Sequence, residues 1–147
     1  GFDSFGKFKV PKNIDSDDFK ELKLFFKEAG NNSISKKDLK LILKKRKLDK
    51  NIKLIKGDIL KTLKLFLLKN KRIKFSFINL DVDLYEVSKF ILEIIWKKVS
   101  KKGIIWFDDY EGFPGAKRAI NEFLEKNHNA SLQKISFDRD YYYCIKK

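Results

Sequence analysis

Residues 74–83 read KFSFINLDVD, and residues 103–109 read GIIWFDD. Each is a short apolar run, rich in aromatic and β-branched residues, that stops on a pair of carboxylates. The composition predicts a buried strand in both places. GIIWF is nearly all apolar and suits a central strand covered on both faces. Between the two runs, Val87, Ile91, Ile94, Ile95 and Val99 recur at helical spacing within 85–99. A helix there returns the chain, so that the two strands can lie side by side in parallel with both acidic pairs at the same edge.

The same alternation continues outward. Residues 15–30 read as a helix, with Phe19, Leu22, Phe26 and Ala29 on one face and Gly30 as its stop. Ser35 followed by Asp38 resembles an acidic capping box opening a second helix, whose apolar face is Leu39, Ile42 and Leu43. Residues 51–55 predict a strand ending at Gly57-Asp58, and a helix through Leu60, Leu63, Phe66 and Leu67 follows. Pro114 opens a further helix with Ala116, Ile120, Phe123 and Leu124 on its face; proline costs little at a first helical position. Two late strands, near 131–137 and 141–145, predict an antiparallel pair around a turn at Asp138 to Asp140. The expectation is a single α/β domain over residues 1–147, built on a mostly parallel sheet with a C-terminal antiparallel hairpin.

Composition narrows the classes of function. Hydrophobic residues make up 43% of the 147, with 14 phenylalanines, which supports a packed core. No apolar run is long enough to span a bilayer, and no signal-peptide pattern stands at the start. Cys144 is the one cysteine, so no internal disulfide can form, and a reducing cytoplasm is the expected compartment. The formal charge is +14, yet only four of the 34 basic residues are arginine. Bidentate base or phosphate reading favours arginine. The ten basic residues from Lys36 to Lys56 have no aromatic residue among them, so they lack the stacking platform of a single-strand binder. A solvated, lysine-rich surface is therefore expected, and nucleic acid is disfavoured as a partner.

Asp81, Asp83, Asp108 and Asp109 stand at the carboxyl ends of the two strands, the edge where open α/β sheets bind ligands. Converging carboxylates repel one another. A hard cation such as Mg²⁺ or Ca²⁺ with all-oxygen ligation would hold them together. So would acid–base chemistry in which one carboxylate has a raised pKa. A purely structural account stays open beside these: Asp83 precedes a helix and Asp109 a turn, where each can cap backbone N–H groups. Asp3 and Asp58 each follow a short apolar stretch and are candidates for bonding a ribose hydroxyl or an adenine amine. Tyr85 and Tyr110 flank the acidic groups and are candidates for shaping a pocket. His128 lies in a polar helix terminus and is expected to be solvated; Cys144, Trp96 and Trp106 are expected to pack.

LIKGDILKTL (54–63), INLDVDLYEVSK (78–89), KKGIIWFDDYEGFPGAKRAINEFL (101–124) and the opening GFDSFGKF (1–8) together resemble the macrocin O-methyltransferase family. The order and spacing of these stretches carry the resemblance. It implies a Rossmann-like class I methyltransferase fold, S-adenosyl-L-methionine and Mg²⁺ as cofactors, and a small-molecule sugar or polyol acceptor. It further implies that Asp81, Asp108 and Asp109 are metal ligands, Asp83 the general base, Asp3 the residue that holds the cofactor ribose, and Asp58 the residue near the adenine.

Such proteins carry a strand, a glycine-rich turn and a helix ahead of the position of GFDSF. The chain opens on GFDSF without an initiating Met. The expectation is a C-terminal portion of a larger methyltransferase, N-terminally truncated, with exposed strand edges and little or no transferase activity by itself. Two other classes are carried alongside: an inactive α/β binding fragment and a metal-dependent hydrolase using the same carboxylates. The acceptor and the oligomeric state, including a homo-oligomer, are left open.

Overall fold

A computed structural model describes every residue except 9, 11–13, 15 and 137–139. The chain divides into two compact units: residues 1–11 with 25–71, and residues 12–24 with 72–147.

The first unit holds a two-stranded parallel sheet. β1 (Phe2–Asp3) pairs with β2 (Ile55–Lys56), Phe2 opposite Ile55. α1 (Ser16–Ala29) contributes its residues from Phe25 onward, and α2 (Lys36–Lys45) and α3 (Ile59–Lys69) complete the unit. Ser35 caps α2 by accepting the Asp38 N–H at 3.1 Å, and its hydroxyl donates to the Asp38 carboxylate at 2.6 Å. α2 buries none of its residues: Leu39 and Leu43 are half-buried and Ile42 is exposed, so its expected apolar face is only partly covered. α3 buries Leu63, and Phe66 meets Phe2 edge to face.

The second unit holds a four-stranded sheet in the order β3-β4-β6-β5. β3 (Phe75–Leu80) runs parallel to β4 (Val99–Phe107), while β6 (Asp140–Lys146) is antiparallel to both β4 and β5 (Ala130–Ser136). Among the described residues the parallel pairing is thus confined to one pair in each unit, and the larger sheet is mixed. The turn expected at Asp138 to Asp140 involves residues 137–139, outside the described residues. α4 (Tyr85–Ile95) runs into a 3-10 turn at Trp96–Lys98, and α5 is Pro114–Lys126. Ser88, Ile91, Leu92 and Ile95 of α4 and Ala116, Ala119, Ile120 and Phe123 of α5 are buried. Trp96 and Phe123 meet edge to face at 5.0 Å between centroids.

β4 begins four residues before the expected Gly103. Its pairing slips between Phe75↔Val99 and Phe77↔Ile104, and Lys102 takes a left-handed backbone (φ 61°) at this bulge. Beyond it, Gly103, Ile105 and Phe107 are buried while Ile104 and Trp106 are half-buried. The apolar run therefore alternates, with one face packed more completely than the other. β3 lies at the sheet edge, and Phe77 is 59% exposed. No helix among the described residues is long and apolar enough to cross a membrane.

Candidate active site

β3 ends at Leu80 and β4 at Phe107, and the Asp108 N–H donates to the Leu80 carbonyl at 3.1 Å. The parallel pairing thereby brings the two acidic tails together. Asp81, Asp83 and Asp109 each offer a carboxylate oxygen within 4.8 Å of the others'. Asp81 is exposed, Asp83 half-buried and Asp109 buried. Asp108 is exposed and stands outside this triplet, although its charge acts on Asp83.

Asp109 is the hub. Its Oδ2 accepts the backbone N–H groups of Val82 and Asp83, each at 2.9 Å. Those bonds hold the segment after β3 in a tight bend, in which Asp83 adopts φ 62°. Aspartate is among the few non-glycine residues that tolerate this region. The bend turns Asp83 back onto Asp109, and the two carboxyls share a hydrogen bond that Asp83 donates.

Burial first, and then the charges of Asp109, Asp81 and Asp108, push the Asp83 pKa up to about 8. Burial also raises Asp109, against the opposing pull of the N–H groups of Asp83 and Val82. Without a cation, the cluster therefore relieves its repulsion by keeping a proton on Asp83. The donor set suits a hard divalent cation: it is all oxygen, anionic, and gathered closely enough for one ion to bridge it. A bound cation would take over the neutralising role of that proton.

Asp3 and Asp58 lie in the first unit, each with a local structural role. Asp3 Oδ1 accepts the Phe5 N–H and, at 3.2 Å, the Ser33 hydroxyl, while Ser33 Oγ accepts the Gly6 N–H at 3.0 Å. Asp58 is the N-cap of α3, its Oδ1 accepting the Leu60 N–H at 2.9 Å. Each carboxylate has a second oxygen, Oδ2, through which a hydroxyl or amine of a ligand could be accepted.

The flanking tyrosines are tied to α5. Tyr85 donates to Glu122 at 3.0 Å and accepts from Lys89 at 2.6 Å, and the Arg118 guanidinium lies 4.3 Å from its ring centroid. Tyr110 stacks on Tyr142 at 4.2 Å and donates to Asn121 at 2.9 Å. His128 is exposed. Cys144 is fully buried, and burial pushes its thiol up to about 12, which leaves it without nucleophilic thiolate near neutrality.

Sequence reading passed over one buried carboxylate. Asp18, in the first turn of α1, is 1% exposed and accepts backbone N–H groups from Tyr85 (2.8 Å) and Gly115 (2.9 Å). Asp18 precedes Leu22 by one helical turn, on the face that Leu22 buries. That spacing is the one signal that could have marked it.

The profile of the macrocin-O-methyltransferase (TylF) family matches residues 2–143. No curated protein matches the chain in sequence. Among solved structures, the O-methyltransferase NovP superposes with a TM-score of 0.79 at 24% identity, covering 99% of this chain and 58% of that one. The apo structure of CalS11, a TDP-rhamnose 3'-O-methyltransferase of calicheamicin biosynthesis, gives 0.68 at 24% identity, covering 99% and 57%. An O-methyltransferase from Bacillus cereus in complex with SAH gives 0.56 at 16% identity, covering 81% and 64%. This chain thus spans under three-fifths of the length of NovP and CalS11. The likeness establishes the class I methyltransferase fold.

Proposed function

The chain belongs to the macrocin-O-methyltransferase (TylF) family, and from that premise we propose that it serves an S-adenosylmethionine-dependent, divalent-metal-dependent O-methyltransferase acting on a sugar or polyol hydroxyl. The observation that carries this reading is the convergence of Asp81, Asp83 and Asp109 at the carboxyl ends of β3 and β4. Two of the solved structures that share the fold support the acceptor and the methyl donor: CalS11 is a TDP-rhamnose 3'-O-methyltransferase, and the Bacillus cereus enzyme holds SAH.

In this reading Asp81 and Asp109 hold Mg²⁺ together with Asp108, whose exposed carboxylate stands outside the triplet and would have to turn towards it; Asp83 is the base, and Asp3 and Asp58 contact the ribose and adenine of S-adenosylmethionine. When bound, the cation lowers the pKa of an acceptor hydroxyl, and the sulfonium cofactor supplies an activated methyl group. The work of the chain is to place and move one proton. Asp109 fixes the bend through the Val82 and Asp83 N–H groups, which aims the Asp83 carboxyl into the cluster. A carboxyl whose pKa stands near 8 in the cation-free cluster would ionise more readily beside a cation, and would then be placed to accept the proton of the acceptor hydroxyl.

The test is calorimetric titration of the full chain with Mg²⁺, then with S-adenosylmethionine in the presence and absence of Mg²⁺. One Mg²⁺ site that Asp109→Asn abolishes, with cofactor binding that Asp3→Ala or Asp58→Ala weakens about tenfold, is the expected result. Metal binding without cofactor binding would favour a hydrolase, and binding of neither would leave an α/β binding module.

A further inference from the structure

α4 and α5 both begin without a capping side chain of their own. Their N-cap residues are Leu84 and Phe113, neither of which makes a side-chain cap bond. Yet the first turn of a helix has N–H groups that need acceptors, and these two turns are buried at Leu84, Ser88, Gly115 and Ala116. The missing acceptor comes from α1. Asp18 Oδ2 accepts the Tyr85 N–H and Asp18 Oδ1 the Gly115 N–H. One carboxylate thus caps two helices at once, with its negative charge at both positive helix ends.

The positions of those two N–H groups give the arrangement its functional meaning. Tyr85 follows Asp83 by two residues. Gly115 lies just beyond Phe113, whose N–H donates to the Asp109 carbonyl at 3.0 Å. Asp18 is therefore connected through short, hydrogen-bonded backbone to both members of the Asp83–Asp109 pair while touching neither. Gly115 allows the approach: a Cβ there would lie 2.0 Å from Asp18 Oδ1.

We propose that Asp18 is a positioning residue for the acidic site: by tying the start of α4 to the start of α5, its carboxylate sets the spacing of Asp83 and Asp109. The functional part of this inference rests on the reading of Asp81, Asp83 and Asp109 as the working site, but the positioning itself can be read without metal or activity.

The experiment is residue-resolved amide hydrogen exchange on the full metal-free chain, wild type against Asp18→Asn. The substitution preserves volume but replaces one acceptor oxygen with an NH₂ group, which cannot accept an N–H. Exchange at Val82 and Asp83, whose amides bond Asp109 and not Asp18, should accelerate at least tenfold along with Tyr85 and Gly115. Acceleration confined to Tyr85 and Gly115 would reduce Asp18 to a helix cap and overturn the proposal. Gly115→Ala, which intrudes on the same carboxylate from the other side, should reproduce the effect, and it replaces Asp18→Asn if that variant does not fold. Failure of both variants to fold in sucrose would also overturn it, since Asp18 would then hold the whole unit and not the site. Mg²⁺ titration provides the second readout: at least tenfold weaker binding to Asp18→Asn than to wild type. If wild type binds no Mg²⁺ while Val82 and Asp83 still respond, the metal reading has failed and the positioning stands.

Discussion

At the scale of single residues, the Asp83–Asp109 pair makes stability depend on pH in an unusual direction. Most paired carboxylates have lowered pKa values and lose stability in acid. Asp83 is the reverse: burial and like charges raise it from an ordinary 3.8 to about 8. The folded state binds its proton more tightly than the unfolded state does. The associated stability is complete below about pH 4 and is lost as pH rises towards 8. With EDTA present, wild type should therefore lose on the order of 2 kcal/mol between pH 5 and pH 8. Asp83→Asn, which keeps the donated bond and never ionises, should be nearly flat over that window. Urea denaturation followed by tryptophan fluorescence measures both, and an equal slope in the two proteins would refute the assignment. The candidate carboxylates were legible because each closes an apolar run, and strand ends can be read from one dimension. Which of them gather was not: Asp108 and Asp109 are adjacent in sequence, and only the turn after Phe107 decides that Asp109 points inward. Asp18 was illegible for a similar reason, because its partners Tyr85 and Gly115 are 67 and 97 residues away.

At the scale of elements, periodicity located the helices and most of the strands, although the strand expected at 51–55 is only Ile55–Lys56, and packing redistributed their faces. In α1 the expected stripe was Phe19, Leu22, Phe26 and Ala29, but Phe19 is 39% exposed while Asp18 is buried. Leu22 is buried as expected, but the buried position one turn before it is Asp18, because the N–H groups of α4 and α5 draw in a carboxylate, a demand that hydrophobic spacing does not register. The start of β4 was misplaced because a bulge depends on the partner strand. Gly103 shows the constraint: a Cβ there would lie 2.8 Å from the Ser100 carbonyl oxygen and 3.0 Å from that of Phe75. Backbone atoms on two strands cannot both give way. Gly103→Ala should cost about 1–3 kcal/mol, and because β4 leads directly to Asp109, it should also weaken Mg²⁺ binding. At the contact of α4 with α5, by contrast, Phe123 fills space against Trp96. Phe123→Ala should cost about 3 kcal/mol through the cavity left behind, and it should leave Mg²⁺ affinity within about twofold if its role is packing. Parallel denaturation and calorimetry on the two variants separate an element that shapes the site from one that supports the unit.

At the scale of the whole molecule, the charge of +14 opposes the function proposed for the acidic cluster. A net positive field repels a divalent cation, and it also destabilises the compact state by self-repulsion. Added salt should act on both in the same direction by screening, with a Debye length near 10 Å at 0.1 M. Raising NaCl from about 20 to 200 mM should therefore stabilise the protein by about 1 kcal/mol without any specific site. Mg²⁺ would mimic that effect through ionic strength alone, so the comparison must be made at matched ionic strength. The specific contribution is distinguished by its pH dependence. Below pH 6 the proton on Asp83 competes with the cation, and Mg²⁺ should add little beyond NaCl. Near pH 8 the proton is readily displaced, and Mg²⁺ at a hundred times its dissociation constant should add about 2.7 kcal/mol. Trp96 and Trp106 both lie in the unit that carries the acidic cluster, so fluorescence reports the unit in which the binding occurs. Asp109→Asn should keep the response to NaCl and lose the response specific to Mg²⁺. A magnesium effect that survives in Asp109→Asn, or that is as large at pH 5.5 as at pH 8, would mean that the cation binds elsewhere on the surface and that the acidic cluster around Asp109 does not form its site.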